Sequence, residues 1–290
     1  MQVPRRLADA SLIAVTAIWG STFLMVQNSL HEVSPLAFLA CRFSLASAVL
    51  LILNRKHFTR KAVLPGIVTG FFLFAGYAFQ TIGLQFTTAS KSAFLTSLSV
   101  PMVPFAAALV YRKAPRLREV VGIALASAGM LLLTVPGSIE EIGRGDVLSF
   151  CCAVSFAAQV VAVSFYAGRG NFVTFVTTQM ITVTALSLAT CRWVEPFSFR
   201  PDGRAWVAMA LTGLLATALA FSIQAWAQQY TTVNRAAVIF ALEPVFAWLT
   251  SFIILGEILS LRATIGAGLI LFGILTVEMK RSTIHLHQIN

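Results

Sequence analysis

Long apolar runs separated by short polar or basic breaks fill the chain, and their spacing predicts ten helices. The runs cover residues 8–29, 35–53, 63–85, 91–111 and 117–135, then 146–167, 172–191, 205–229, 235–255 and 261–278. Each is close to the roughly 20 residues a helix needs to cross about 30 Å of hydrocarbon. The one long polar break, Pro136–Gly145, divides the runs into two sets of five. The expected organisation is a first half at 1–135, a linker at 136–145, a second half at 146–280 and a short tail at 281–290.

The second half repeats the first. Gln85-Phe86-Thr87-Thr88-Ala89-Ser90-Lys91-Ser92-Ala93 returns 144 positions later as Gln229-Tyr230-Thr231-Thr232-Val233-Asn234-Arg235-Ala236-Ala237. The same offset carries Gly122 and Gly129 onto Gly266 and Gly273. Five spans are an odd number, so the second copy must enter the bilayer from the opposite side. The expected fold class is an all-α membrane protein: ten transmembrane helices as two inverted five-helix repeats around a central cavity.

Composition agrees with the bilayer as solvent. The chain is 58% hydrophobic and 11% charged, with a mean hydropathy of +0.83, more apolar surface than a soluble protein of this size can hide. The net charge of +10 does not signal nucleic acid, because the basic residues lie in the breaks and form no patch with interleaved aromatics. Fourteen of the 21 Lys and Arg fall on one face, including Arg5, Arg6, Arg60, Lys61, Arg116 and Arg235. Six fall on the other, and Arg42 lies inside a run. That bias places both termini in the cytoplasm, for a multi-pass protein of the bacterial cytoplasmic (inner) membrane. Cys41, Cys151, Cys152 and Cys191 lack metal-site spacing and read as small apolar fillers.

Ionisable groups inside spans are costly, about 2.5–3.5 kcal/mol each on insertion scales, and therefore informative. Glu243 sits mid-run beside the helix-breaking Pro244. It suits a proton-coupling carboxylate, an acceptor for a substrate ammonium, or a carboxylate satisfied by neighbouring helices. Arg42 could grip a substrate carboxylate in a bidentate fork, pair with Glu243, or reach helix-end carbonyls. Tyr77 and Gln80 share one helix face and match Phe221 and Gln224 at the repeat offset. Trp19, Ser21, Gln159 and Gln179 are further candidates to line a substrate cavity, or else interface aromatics and interhelical glue. Glycines at 66 and 70 and at 122, 129, 266, 268 and 273 read as close-packing seams, between halves or between the protomers of a homodimer.

Other motifs carry less. Gly143-Arg144-Gly145-Asp146 has the look of an intramembrane aspartyl protease motif but reads better as a capped helix start. His285 and His287 lie in the tail. No P-loop, zinc or nucleophile-elbow pattern is present, so no cofactor, metal or ATP hydrolysis is expected.

Trp19-Gly20-Ser21-Thr22-Phe23, Pro35-x2-Phe38-x3-Arg42, Leu242-Glu243-Pro244-Val245, Leu255-Gly256-Glu257 and Gly266-x6-Gly273 together resemble the EamA branch of the drug/metabolite transporter superfamily. The resemblance runs over the whole chain. It implies ten helices in two inverted halves, a central cavity and, usually, export of small metabolites such as amino acids. The first copy departs from it, with Tyr111-Arg112-Lys113 where the second has Leu255-Gly256-Glu257, which suggests specialised halves. The expected function is a secondary transporter exporting a small molecule, with a proton as one candidate driving ion. The alternatives are a non-transporting or lipid-translocating membrane subunit, or a membrane-embedded enzyme.

Overall fold

The computed structural model describes residues 4–30, 32–54, 58–87, 92, 95–134, 143–168, 170–194, 197–255 and 261–278. Most of the linker, the tail with its histidines, Lys91 and the Gly256-Glu257 pair lie outside them. Among the described residues the elements are helical: α1 (Arg5–Ser29), α2 (Pro35–Asn54), α3 (Val63–Gly83), α4 (Ser99–Tyr111), α5 (Leu117–Thr134), α6 (Arg144–Tyr166), α7 (Phe172–Thr190), α8 (Gly203–Ala227), α9 (Val233–Phe240), α10 (Glu243–Leu255) and α11 (Leu261–Glu278). Among the described residues, six helical segments are long and apolar enough to cross a membrane: α2, α3, α6, α7, α8, and the stretch Val233–Ile254 that takes in α9 and α10. Outward faces carry Phe105 and Leu109 of the shorter apolar helix α4 and Ile253 of α10, each more than 70% exposed. Such faces need lipid to cover them.

Two apolar runs are interrupted where backbone chemistry requires it. The ninth breaks at Ala241–Leu242, so Pro244 falls in the first turn of α10, where a missing N–H is harmless. In α4 the chain turns at Leu98, which likewise puts Pro101 in a first turn, while Pro104 stays inside the helix. The eighth run is continuous but widens into a π-helical stretch over Thr212–Leu219. There Thr217 Oγ1 donates to the Thr212 carbonyl five residues back, at 2.9 Å. Asp146 accepts from the Gly143 amide at 2.8 Å and so fixes the first turn of α6, as a capping residue does.

The packing between the two halves comes in mated pairs. Helix α5 lies along α11, α2 along α7, α3 against α6 and α7, α1 against α8, and α4 against α6 as α1 is against α9 and α10. Where α5 meets α11, a Cβ on Gly122 would sit 2.7 Å from the Gly273 carbonyl, and one on Gly129 2.4 Å from the Gly266 carbonyl. Early positions of α5 thus face late positions of α11, so these two helices run antiparallel. Helices α2 and α7 do the same, with Ser47 bonded to Thr184 at 3.0 Å and Leu50 to Thr177 at 3.5 Å. The glycine seams join the halves to each other.

These contacts also sort the helix termini into two ends. Asn234 reaches Glu119 and Arg235 reaches Asp9, so α1, α5 and α9 begin at one end. Gly83 packs on Gly145, and Val33 bridges to Phe199, at the other.

Candidate functional site

Midway between those ends, aromatic rings from both halves converge on two charged side chains. Trp19 of α1 lies 5.3 Å from Phe221 of α8 and 5.6 Å from Phe240 at the end of α9. Tyr77 of α3 contacts Phe43 at 5.4 Å, Phe156 at 5.3 Å and Phe221 at 6.4 Å. The arrangement is nearly two-fold: Trp19 on Phe221 mirrors Phe156 on Tyr77. The first two helices of the halves correspond at an offset of 137, so Trp19 matches Phe156 and Arg42 matches Gln179. The offset grows to 144 afterwards because the segment between α7 and α8 is longer than that between α2 and α3. That longer segment folds over the α1–α2 turn, where Ser34 N donates to Ser198 O at 2.8 Å.

Arg42 is 4% exposed and held from three directions. Its Nε donates to Thr217 Oγ1 at 2.6 Å, and Nη2 donates to the Ala216 carbonyl at 3.3 Å and to Tyr77 Oη at 3.4 Å. Its guanidinium also lies 5.0 Å from the centre of the Tyr77 ring and 5.5 Å from that of Phe43, a cation–π setting. The Ala216 carbonyl is shared, since Trp19 Nε1 donates to it at 2.8 Å. Two of these three acceptors, Thr217 and Ala216, belong to the π-helical stretch, a distortion that often marks functional sites. A buried guanidinium without such acceptors would be expensive; here the widened turn supplies them.

Glu243 begins α10, at the centre of the Val233–Ile254 span. Gly20 lets α1 approach it, because a Cβ there would stand 2.6 Å from the Glu243 carbonyl. Arg42 and Glu243 are near enough to act on each other electrostatically, yet they form no ion pair. Glu243 is half-buried as a residue, and its side chain makes no hydrogen bond to a described residue.

The other candidates divide. Gln224 donates to Gln159 at 3.4 Å, and both are buried between α6 and α8. Gln179 is 1% exposed on α7, and its Nε2 has no partner among the described residues. Gln80 is half-buried one turn along from Tyr77. Ser21 is exposed on the outer side of α1 and bonds to its own helix at Ile18 O, so it is not brought to the others. Thr217 and the Ala216 carbonyl were not legible in the sequence, because only a π turn aims them at Arg42. Phe221 was signalled by its match to Tyr77. A buried ion pair, Arg235 to Asp9 at 2.6 Å, also went unread, since Arg235 looks like a loop charge and its partner is 226 residues away.

Apolar helices long enough to span a bilayer, with aromatic rings and two ionisable groups gathered at their centre, are those of an integral, multi-pass membrane protein. The EamA-like transporter family model matches residues 6–135 and again 143–279, and the chain belongs to that family. An archaeal relative described as an uncharacterized transporter, from Archaeoglobus fulgidus, is 34% identical over 96% of this chain and 88% of its own length. The uncharacterized transporter YyaM of Bacillus subtilis is 27% identical, covering 92% of each chain. The uncharacterized inner membrane transporter YedA of Escherichia coli K12 is 26% identical over about half of each, 51% and 50%. A solved crystal structure shares the fold with a TM-score of 0.79 over 92% of this chain and 96% of that one, at 22% identity.

Proposed function

We propose that the protein is a secondary transporter that exports a small zwitterionic metabolite, such as an amino acid, by alternating access. Ten spans in two inverted halves, 1–135 and 146–280, enclose the substrate chamber, and both termini face the cytoplasm. The antiparallel pairing of equivalent helices supports inversion. Two copies of one unit whose matching helices α5 and α11 run antiparallel side by side are related by an axis lying in the membrane plane.

The observation that carries the site assignment is the contrast between its two charges. Arg42 is oriented by Thr217, Ala216 and Tyr77, whereas the Glu243 carboxylate has no hydrogen-bond partner among the described residues. A charge left open in an aromatic chamber is placed to receive a cation, either the ammonium of a substrate or a proton. The remaining guanidinium edge receives the substrate carboxylate, and Trp19, Tyr77, Gln80, Gln159, Gln179 and Gln224 shape the chamber around it.

The test is counterflow of labelled amino acids and amines into liposomes holding the purified protein, with a screen by ligand-induced thermal stabilisation. Uptake that is lost in Arg42→Ala and Glu243→Gln supports the assignment. Full activity in both variants removes it.

A further inference from the structure

The two ends of the bundle are fastened by the same contact made twice. At one end Thr231 Oγ1 donates to Asp9 Oδ1 at 2.7 Å; at the other, Thr87 Oγ1 donates to Asp146 Oδ1 at 2.8 Å. Thr87 and Thr231 occupy one position of the 144-residue repeat, and Asp9 and Asp146 correspond at the 137 offset of the leading helices. Each contact ties the first helix of one half to the segment that leads into the fourth helix of the other.

The fastenings lie about a membrane thickness apart. Tyr111, where α4 ends just before α5 begins, packs on Phe165 near the end of α6 at 6.1 Å. The far end of α6 is therefore level with Glu119, Asn234 and Asp9. Asp146 lies in the first turn of α6, 19 residues before Phe165, or roughly 28 Å away along a helix at 1.5 Å per residue.

Both fastenings are buried, with Asp9 4% and Asp146 6% exposed. Each has reinforcement of its own kind. Asp9 also accepts Arg235 Nη2 at 2.6 Å, and Arg235 Nη1 donates to the Val277 carbonyl at 3.1 Å. At the opposite end Ser149 donates to Ser92 at 3.0 Å, and a Cβ on Gly145 would stand 2.8 Å from the Gly83 carbonyl. Buried polar contacts of this kind are either made or replaced by water, so each end has a shut and an open arrangement.

The helices that carry these carboxylates are pinned at their middles. Gly20 of α1 is wedged on the backbone of Glu243 and Ala247, and Phe156 of α6 on Gly76. A helix held at its centre swings one end inward when the other swings out. On the transporter reading above, we infer that Asp9–Thr231–Arg235 and Asp146–Thr87 are paired gates, both shut in this structure, and that opening one holds the other shut. None of these residues touches the chamber, so their role is to hold the conformation.

Hydrogen–deuterium exchange on the full chain in lipid nanodiscs tests this without a known substrate. Thr231→Val removes one hydroxyl and keeps the shape. It is expected to raise exchange about fivefold across residues 5–15 and 231–240, the effect of one lost hydrogen bond, and to slow exchange across 143–152. Thr87→Val should produce the reverse. Asp9→Asn should act in the same direction as Thr231→Val; where it fails to fold, the two valine variants decide. Increased exchange confined to the mutated end, or present at both ends, overturns the inference. Flux in liposomes without this opposition leaves the transporter reading standing and removes the gates. Opposed exchange with no flux for any solute screened keeps the coupled fastenings and removes the transporter reading.

Discussion

Arg42 illustrates why an arginine is used where a lysine would carry the same charge. Its donors are divided among a hydroxyl, a phenol and a backbone carbonyl, an arrangement that a single ammonium point cannot reproduce. Arg42→Lys should therefore lower transport by about tenfold, the value of one to two charged hydrogen bonds, while protein yield and thermal stability stay close to wild type. Glu243→Gln addresses a different property. With the carboxylate as proton carrier, the variant loses flux driven by a pH gradient and keeps substrate exchange at equal pH. With the carboxylate as ammonium acceptor, it loses both. Measuring uptake with and without a pH gradient in the same liposomes separates the two roles.

At the level of elements, the seam between α5 and α11 brings the backbones of the two halves close together. A side chain at Gly129 would enter the space of the Gly266 carbonyl and the Ile270 amide, at 2.4 and 2.8 Å, both of them backbone that cannot turn aside. Gly129→Leu should cost about 1–3 kcal/mol through overpacking, read as a drop in melting temperature in detergent. Gly268, on α11, departs from the seam expected of it and faces open space, so Gly268→Leu serves as the control with little expected change. The glycine spacing alone marked this helix as a seam. It did not say which face was used or against what, because small residues permit close contact without choosing a partner.

At the level of the molecule, orientation is the quantity to measure. Impermeant thiol labelling of single cysteines placed after α2 and after α7, in a background lacking the native four, should report opposite sides of the membrane. Labelling of both from the same side would overturn the inverted arrangement and the mechanism with it. The contact pattern makes this a demanding test, since α2 and α7 lie antiparallel along each other.

What the residue order determined by itself is what short-range chemistry controls. Apolar runs of about 20 residues become helices because a backbone in hydrocarbon must satisfy its own hydrogen bonds. Pro244 interrupts its run because it has no N–H to give. Arg42, Glu243 and the Tyr77–Phe221 match stood out because charge is costly, and repetition visible, in so apolar a chain. Tertiary structure alone decided which of these groups meet. Ser21 turned outward although it neighbours Trp19, and Arg42 met a carbonyl 174 residues away that only a widened turn exposes. Asp9 and Arg235, unremarkable in sequence, were joined as a buried pair. Each outcome depends on how helices are rotated and paired, which is set by the summed packing of many small contacts and is written in no single stretch of the chain.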